Sequence, residues 1–277
     1  MAVVLAITSD THCRSTMGLI HPDGVGLSDD GHYTPSPGQR WLWDQWERGF
    51  EGVGECAAKH KAPIWWINNG DLTDGNHHGT HQIVSGDSIP EREIVRGVLD
   101  VPLELDPKRI FIIKGTESHV GKGGSAEESI ARALSDDWPV VPDINTNQFS
   151  WYTAQFEIEG IMVDATHHGR TGYRPWTEQN AVQLLAAHIF VERSKQGERI
   201  PDLCLRSHFH RHFDSYDAWP CRVIQTPAFQ LATAYVHAKV PESIADTGMM
   251  WALVDDDHFE IFKSIQKPSR GKIWRAR

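Results

Sequence analysis

Residues that could bind a metal ion follow short apolar runs at five places along the chain. The clearest place is the loop after residues 63–67, where Gly70, Asp71 and Asp74 form a Gly-Asp-x-x-Asp motif. A carboxylate at the end of a buried strand is costly unless a cation or hydrogen bonds compensate it. An Asx turn that closes the strand would explain a single aspartate equally well. The four similar loops elsewhere in the chain favour a metal site.

The five loops offer carboxylate and imidazole groups in pairs. In chain order the pairs are Asp10 and His12, Asp71 and Asp74, Glu117 and His119, His167 and His168, and His208 and His210. Mixed oxygen and nitrogen ligands suit Mn, Fe or Zn better than Ca or Mg, and the absence of cysteine from these pairs argues against a structural zinc site. Six or seven ligands predict two ions about 3.5–4 Å apart that share one carboxylate, an arrangement that activates water for attack at phosphorus.

Strands and helices that would position these loops alternate in the first half of the chain. Apolar β-branched runs predict strands at 2–7, 63–67 and 109–113. Helical spacing predicts helices at 40–61 and 89–105, and a capping box over Ser125–Glu128 predicts the start of a third helix. This order is typical of parallel strands joined by helical crossovers.

The second half reads as short strands with one long helix. The predicted strands are 150–158, 161–165, 202–206, 213–216, 222–225, 250–254 and 259–263, and the predicted helix is 177–195. Loops 14–39, 76–90 and 226–248 show no readable pattern and are expected to determine specificity. The histidines at 77, 78 and 81 are not assigned as ligands. We expect a single domain over 1–266 and a basic tail over 267–277, which is either solvated or contacts phosphate.

Composition narrows the classes of function. A hydrophobic fraction of 40% in 277 residues is enough for a large core, and a net charge of −10 argues against a general nucleic-acid coat. Bound cations would reverse that charge locally, so nucleotides stay open as ligands. Four scattered cysteines without a CxxC pair fit a reducing cytosol. The first apolar run is too short for a signal or a membrane span, so we expect a cytoplasmic protein that binds no membrane.

The five motifs resemble, in the same order, those of the calcineurin-like metallophosphoesterases. That family's order is Asp-x-His, Gly-Asp-x-x-Asp, Gly-Asn-His-Asp/Glu, a lone His and Gly-His-x-His. The versions in this chain are Asp10-Thr-His12, Gly70-Asp71-Leu-Thr-Asp74, Gly115-Thr-Glu-Ser-His119, His167-His168-Gly169 and Ser207-His208-Phe-His210. The third version also resembles metallophosphoesterases encoded by tailed phages. The resemblance implies an α/β fold, a four-layer α/β/β/α sandwich of two mixed β-sheets flanked by helices.

The same resemblance implies a role for each ligand position. Asp10, His12, Asp71 and His210 would hold the first metal, Asp71 would bridge, and His167 and His208 would hold the second metal. His167 is preferred to His168 because the family's ligand is usually the first residue after the strand. Two divalent transition metal ions are expected, with Mn first and Fe, Zn or Ni as alternatives.

The third motif departs from the family pattern. Thr116 stands where the family has a metal-binding Asn, so either Thr116 or Glu117 would complete the second metal site, and we expect Glu117. His119 would be the general acid, with Asp74 holding its imidazole charged and oriented. Arg170, beside the His167 motif, is expected to bind the substrate phosphate, with a surface or ion-paired role as the alternative.

Together these features predict a hydrolase of phosphodiesters, phosphomonoesters or both, acting on a small phosphate ester or a nucleotide. A nuclease or a cyclic-nucleotide phosphodiesterase is the first alternative, so nucleic acid stays open as a substrate. A non-catalytic metal-binding scaffold with a degenerate third motif is the second alternative. The sequence names neither the physiological substrate nor the oligomeric state.

Overall fold

Two mixed β-sheets form the centre of the computed structural model, which describes residues 1–75, 79–172 and 174–269. The strands are β1 (Val3–Thr8), β2 (Val25–Gly26), β3 (His32–Tyr33), β4 (Ile64–Asn68), β5 (Arg109–Ile113), β6 (Ser150–Trp151), β7 (Ala154–Ile158), β8 (Ile161–His168), β9 (Leu203–Ser207), β10 (Phe213–Asp214), β11 (Arg222–Gln225), β12 (Thr247–Asp255) and β13 (His258–Gln266). The helices are α1 (Pro37–His60), α2 (Ser88–Glu104), α3 (Glu117–Val120), α4 (Ser125–Leu134), α5 (Asn180–Gln196) and α6 (Ala234–Lys239).

The first sheet has the strand order β13-β12-β1-β4-β5-β6, and the second has the order β10-β11-β9-β8-β7. In the first sheet β1, β4, β5 and β6 are parallel, while β12 and β13 are antiparallel to their neighbours. In the second sheet β8, β9 and β11 are parallel. The parallel strands of each sheet end at one edge, as expected where helical crossovers connect them.

Three hydrophobic cores separate four layers. Along β1, Val4 and Ala6 face the core under α1 and α2, whereas Leu5 and Ile7 face the core between the two sheets. A third core packs α5 against the outer face of the second sheet, with Leu185 as one member. The alternation follows the two-residue period of a strand. The layers are therefore helices, sheet, sheet and helix, which confirms the α/β/β/α sandwich expected from the sequence.

The helix starts differ from expectation in one informative way. A capping box forms at α1, where the Ser36 side chain accepts from the Gln39 amide and the Gln39 side chain accepts from the Ser36 amide. The predicted capping box at Ser125–Glu128 does not form, because α4 begins after Gly124 and Ser125 is already inside the helix. Glu128 instead accepts hydrogen bonds from the amide and hydroxyl of Ser150.

Three other predictions are corrected by the structure. The run 150–158 is two strands in different sheets, because β6 pairs with β5 and β7 pairs with β8. Loop 14–39 contains the small hairpin of β2 and β3, and loop 226–248 contains α6.

The histidines at 77 and 78 and the tail from residue 270 onward lie outside the described residues. Within the described ranges, no helix is both long enough and apolar enough to cross a membrane.

Candidate metal centre

The predicted ligand loops meet where the parallel strands of both sheets end. Hydrogen bonds between backbones tie the loop after β1 to the loop after β4, with Asp10 N donating to Gly70 O at 2.9 Å and His12 N donating to Asp71 O at 2.9 Å. His167 reaches the same place from the end of β8, where its Nδ1 lies 2.7 Å from Asn69 O. Both sheets therefore contribute side chains to one site.

The backbone at this site is held in an unusual conformation. Asp10, His12, Asp71, His208 and His210 all have positive φ, between 43° and 78°. Such a backbone is uncommon for residues other than glycine and costs on the order of 1 kcal/mol at each position. Strain of this kind persists where the fold must aim particular side chains at one point. No pattern of residue types in these loops indicates this conformation in advance.

The first group of ligand atoms comprises Asp10, His12 and His210, whose ligand atoms all lie within 4.8 Å of one another. Asp10 Oδ1 is 3.3 Å from His210 Nε2 and 3.8 Å from His12 Nε2. The Nε2 atoms of His12 and His210 are 3.2 Å apart. Two imidazole nitrogens that face each other beside a carboxylate are a natural pair of ligands for one cation.

The second group comprises Asp71, His167 and His208. Asp71 Oδ2 is 3.0 Å from His167 Nε2 and 3.9 Å from His12 Nε2, so it lies between the two groups. The amide of Thr116 donates to the other oxygen, Oδ1, at 2.6 Å. This placement agrees with a bridging role for Asp71.

These residues fit divalent metal ions by their chemistry and by their unmet hydrogen bonds. Asp10 Oδ1 and His167 Nε2 are buried atoms that have no hydrogen-bond partner among the described residues. A buried polar atom without a partner is costly, and a cation would satisfy both. With His167 Nδ1 against a backbone carbonyl, the ring is oriented so that Nε2 faces the group.

Electrostatics at the centre follow from burial and opposite charge. Burial raises the pKa of Asp10, but the charge of His167 and the nearby imidazoles of His12 and His210 outweigh burial and hold that pKa well below its usual range. Burial likewise lowers the pKa of His167, but the charges of Asp71 and Asp10 dominate and raise it to about 10. The carboxylates thus keep their negative charge and attract a cation, whether a proton or a metal.

His168 differs from its neighbour in direction. Pairing between β8 and β9 is irregular between Ala165 and His168, and bulges of this kind re-aim side chains near functional sites. His167 is buried, whereas His168 is exposed and packs its ring against the ring of His208 at a centroid distance of 4.8 Å. The geometry therefore brings His167, and not His168, into the ligand group.

The third motif brings Thr116 to the centre and turns Glu117 away. Thr116 Oγ1 lies 3.0 Å from His208 Nδ1. Glu117 is exposed, and its Oε1 accepts a hydrogen bond from Gly123 N at 3.1 Å. No ligand group among the described residues includes Glu117. The structure thus places Glu117 outside the ligand groups, with its side chain directed outward from the start of α3, and its role as an oxygen ligand stays a prediction.

The His119 and Asp74 side chains form the expected pair. His119 Nδ1 lies 2.8 Å from Asp74 Oδ1. Burial lowers the pKa of His119, but the hydrogen bond to Asp74 and the charges of Asp71 and Asp74 outweigh burial, so the pKa is raised. Asp74 Oδ2 is 3.7 Å from His12 Nδ1, and the three residues also form a group with metal-ligand spacing.

The two arginines beside ligand motifs lie in different settings. Arg170 is exposed, and it forms no hydrogen bond or ion pair within the described part of the chain. Arg211 pairs with Glu178 at 3.1 Å and lies 3.6 Å from Asp246. A phosphate-binding role for Arg170 stays a prediction, whereas Arg211 is ion-paired.

Sequence reasoning missed Glu127, which is completely buried behind the centre. Its two carboxylate oxygens accept from Leu72 N at 3.1 Å and from Gly115 N at 2.5 Å. Glu127 thereby joins the second and third ligand loops through their backbones. No spacing in the sequence marks it, because its partners are backbone amides far away in the chain.

An open cleft of about 890 Å³ lies beside the ligand groups. Its lining includes His119 and His210, loop 79–82, and α6 with its flanking residues. A cleft of this size is large enough for a small ligand.

No family model matches the sequence, and no curated protein matches it. Among solved structures, a dimetal phosphatase from Danio rerio is similar at 8% identity and a TM-score of 0.46, over 96% of this chain and 98% of that one. Wild-type Vps29 from Entamoeba histolytica, complexed with zinc, is similar at 11% identity and a TM-score of 0.41, over 96% and 97% of the two chains. A 5′-nucleotidase from Candida albicans is similar at 12% identity and a TM-score of 0.44, over 94% of this chain and 50% of that one.

The sheet orders, the three cores and the ordered ligand motifs are the features that define the fold of this chain. Membership of the tailed-phage branch stays a prediction. The chain has the four-layer α/β/β/α fold that its resemblance to the calcineurin-like metallophosphoesterases implies.

Proposed function

We propose that this protein is a phosphoesterase that depends on two divalent metal ions. The observation that supports this most directly is the position of Asp71 between two groups of ligand atoms beside a cleft. Asp10, His12 and His210 would hold one ion, His167 and His208 the other, and Asp71 both. When bound, the two ions supply a polarised water and neutralise charge on the phosphate.

The protein's own side chains would bind and orient the ester and move a proton. In hydrolysis the water oxygen bonds to phosphorus, the ester P–O bond breaks, and the leaving oxygen takes a proton. His119 is the proposed donor, because its ring lines the cleft and its Nδ1 is held by Asp74. Asp74 keeps the imidazole oriented and favours its charged form.

Manganese is the ion to test first, because carboxylate and imidazole ligands without cysteine suit it. A small phosphate ester or a nucleotide fits the size of the cleft. We also propose that residues 1–266 form one domain, since β12 near the end of this range pairs directly with β1 at its start. We further propose a cytoplasmic location, which the scattered cysteines without a CxxC pair favour.

The test is metal content together with hydrolysis. Purified protein is expected to contain two metal ions per chain and to hydrolyse bis-p-nitrophenyl phosphate with manganese added. Asp71→Asn should abolish hydrolysis, because it removes the charge that the two ion sites share. Asp44→Asn is the matched control, since Asp44 is an exposed residue of α1 and the charge change is identical.

A protein that binds one metal or none, and that turns over neither this diester nor p-nitrophenyl phosphate, would contradict the proposal. Such a result would favour the non-catalytic scaffold, with the altered third motif as its cause.

A further inference from the structure

One wall of the cleft is apolar and includes an exposed aromatic ring. Tyr235, Val236 and Val240 line this wall on and just after α6. Tyr235 is 71% exposed, so one face of its ring is open to the cleft that it lines. Phe209, between the ligands His208 and His210, also lines the cleft. Flat apolar groups therefore have surfaces to pack against next to the metal centre.

This wall is bonded to the metal loops at both ends. Phe229 N donates to Asp10 O at 3.0 Å before the wall, and Asp246 N donates to His210 O at 2.9 Å after it. The start of α6 is fixed as well, because Ala234 N donates to Gln82 Oε1 at 2.8 Å. A group that packs against Tyr235 would thus lie at a defined position relative to the phosphorus being attacked.

The basic side chains in the described lining of the cleft are all histidines. Among the described residues that line it, none is lysine or arginine, and its polar groups are histidines, hydroxyls, amides and the two aspartates Asp71 and Asp74. A phosphomonoester carries about two negative charges at neutral pH, whereas a diester carries one. A second negative charge would find no arginine fork there of the kind that usually binds phosphate dianions.

We propose that the site selects phosphodiesters in which an aromatic or other flat apolar group packs against Tyr235. This inference rests on the proposed phosphoesterase function and specifies its substrate class. Tyr235 acts as a specificity-determining residue, and the single charge of the diester matches a cleft without lysine or arginine. Stacking on an aromatic side chain should strengthen binding about tenfold.

Binding of stable esters tests the wall without any need for turnover. In calorimetric titrations of the metal-loaded protein, diphenyl phosphate should bind about tenfold more tightly than dimethyl phosphate, and more tightly than phenyl phosphate. Tyr235→Ala should close the gap between the two diesters, and Tyr235→Phe should keep it. Tyr216→Ala is the matched control, because Tyr216 is also exposed and does not line the cleft.

Turnover gives a second and separate measure. The ratio of kcat/KM for bis-p-nitrophenyl phosphate to that for methyl p-nitrophenyl phosphate should fall about tenfold in Tyr235→Ala, while kcat for the methyl ester changes little. Because the two esters share a leaving group, a change in their ratio reports on the other substituent.

Equal affinity for diphenyl and dimethyl phosphate, or a gap that survives Tyr235→Ala, would overturn this inference even in a protein that hydrolyses both diesters. Tighter binding of phenyl phosphate than of diphenyl phosphate would overturn the preference for a single charge. Failure to hydrolyse any ester would overturn the proposed function instead, and the diester affinities would then decide the inference alone.

Discussion

Asp74 connects the proposed acid to the metal centre through its two oxygens. Oδ1 holds His119 Nδ1 at 2.8 Å, and Oδ2 faces His12 Nδ1 at 3.7 Å. The amide of Gln230 donates to the same Oδ2 at 3.4 Å. A carboxylate with these partners orients the His119 imidazole and favours its charged form, and it also lies beside His12, a proposed metal ligand.

This arrangement makes the effect of His119 depend on the leaving group. With aryl diesters whose phenols have increasing pKa, His119→Asn should lower kcat about 100-fold or more for poor leaving groups and far less for p-nitrophenol. The reason is that p-nitrophenolate departs without a proton. The measurement is the slope of log kcat against phenol pKa, which should be steeper in the variant. His81→Asn provides the control, because His81 lines the same cleft.

An equal loss with every leaving group would contradict the acid role of His119, since a residue that only supports the metal would affect all esters alike. A parallel series with Asp74→Asn separates orientation from protonation, because that variant keeps the imidazole and loses its partner.

Thr116 shows what residue types alone could not decide. From the sequence, a carboxylate looked like the better replacement for the family's asparagine, because a neutral hydroxyl is a poor metal ligand. The structure places the hydroxyl of Thr116 against His208 and directs Glu117 toward Gly123. The choice depends on the turn into α3, and neither residue's chemistry reveals that turn.

Helix α4 supports the centre from behind through Glu127. Its buried carboxylate joins the amides of Leu72 and Gly115, each next to a residue of the centre or its third motif. Gly115 must be glycine here, since a Cβ at that position would lie 2.1 Å from Asp71 Oδ1. Burial and the charge of Asp71 raise the pKa of Glu127 to about 8, although the two amide hydrogen bonds oppose this.

Glu127 should therefore make the metal-free protein less stable as pH rises. Between its ordinary pKa of 4.5 and about 8, the unfolded chain gives up this proton and the folded chain retains it. Stability then falls with increasing pH by at most about 1.4 kcal/mol per unit, and the loss is complete above pH 8.

The measurement is urea unfolding of chelator-treated protein from pH 5 to pH 8, compared with Glu127→Gln. The difference in unfolding free energy between wild type and variant should shrink as pH rises, because only the wild type has this titrating group. Curves that stay parallel across the range would contradict this account. Glu128→Gln is the control. Glu128 is the next residue on the helix, but its pKa in the folded protein is lowered, whereas that of Glu127 is raised.

Most helices and strands are predictable from the sequence, and the elements that are not have physical reasons. The strand at Arg109–Ile113 and most of α1 and α5 follow directly from apolar runs and helical spacing. The sequence predicts a capping box at Ser125, whereas one forms at Ser36, because both segments have the required spacing and only the surrounding chain selects one. Short elements such as α6 are not predicted from the sequence, because six residues show too little periodicity.

The ligand positions were likewise readable as candidates, because motifs at strand ends converge whenever parallel strands share an edge. Their grouping was not readable in the same way. Which oxygen of Asp71 faces which histidine depends on packing between the two sheets, and Leu5 and Ile7 contribute to that core. Such contacts link residues far apart in the chain, and no local pattern encodes them.

Across the whole molecule, the metal centre lies where the two sheets contribute loops to one site. Asp10 and Asp71 come from the first sheet, and His167 and His208 come from the second. The buried carboxylates of Asp10 and Asp71 lie 3.9 Å and 3.0 Å from the same atom, His167 Nε2, so their like charges repel each other at short range. An ion bound by both sheets would relieve this repulsion and hold the sheets together.

Removal of metal should accordingly lower the melting temperature of the whole protein. Ligand present at 100 times its dissociation constant stabilises the folded state by about 2.7 kcal/mol, which corresponds to several degrees for a chain of this size. Differential scanning calorimetry with and without a chelator measures the shift. Asp10→Asn should remove most of it, since it weakens binding and also relieves the repulsion in the metal-free state, whereas Asp44→Asn should preserve it. A shift of equal size in Asp10→Asn would show that the chelator acts elsewhere and that this centre does not link metal binding to the stability of the two sheets.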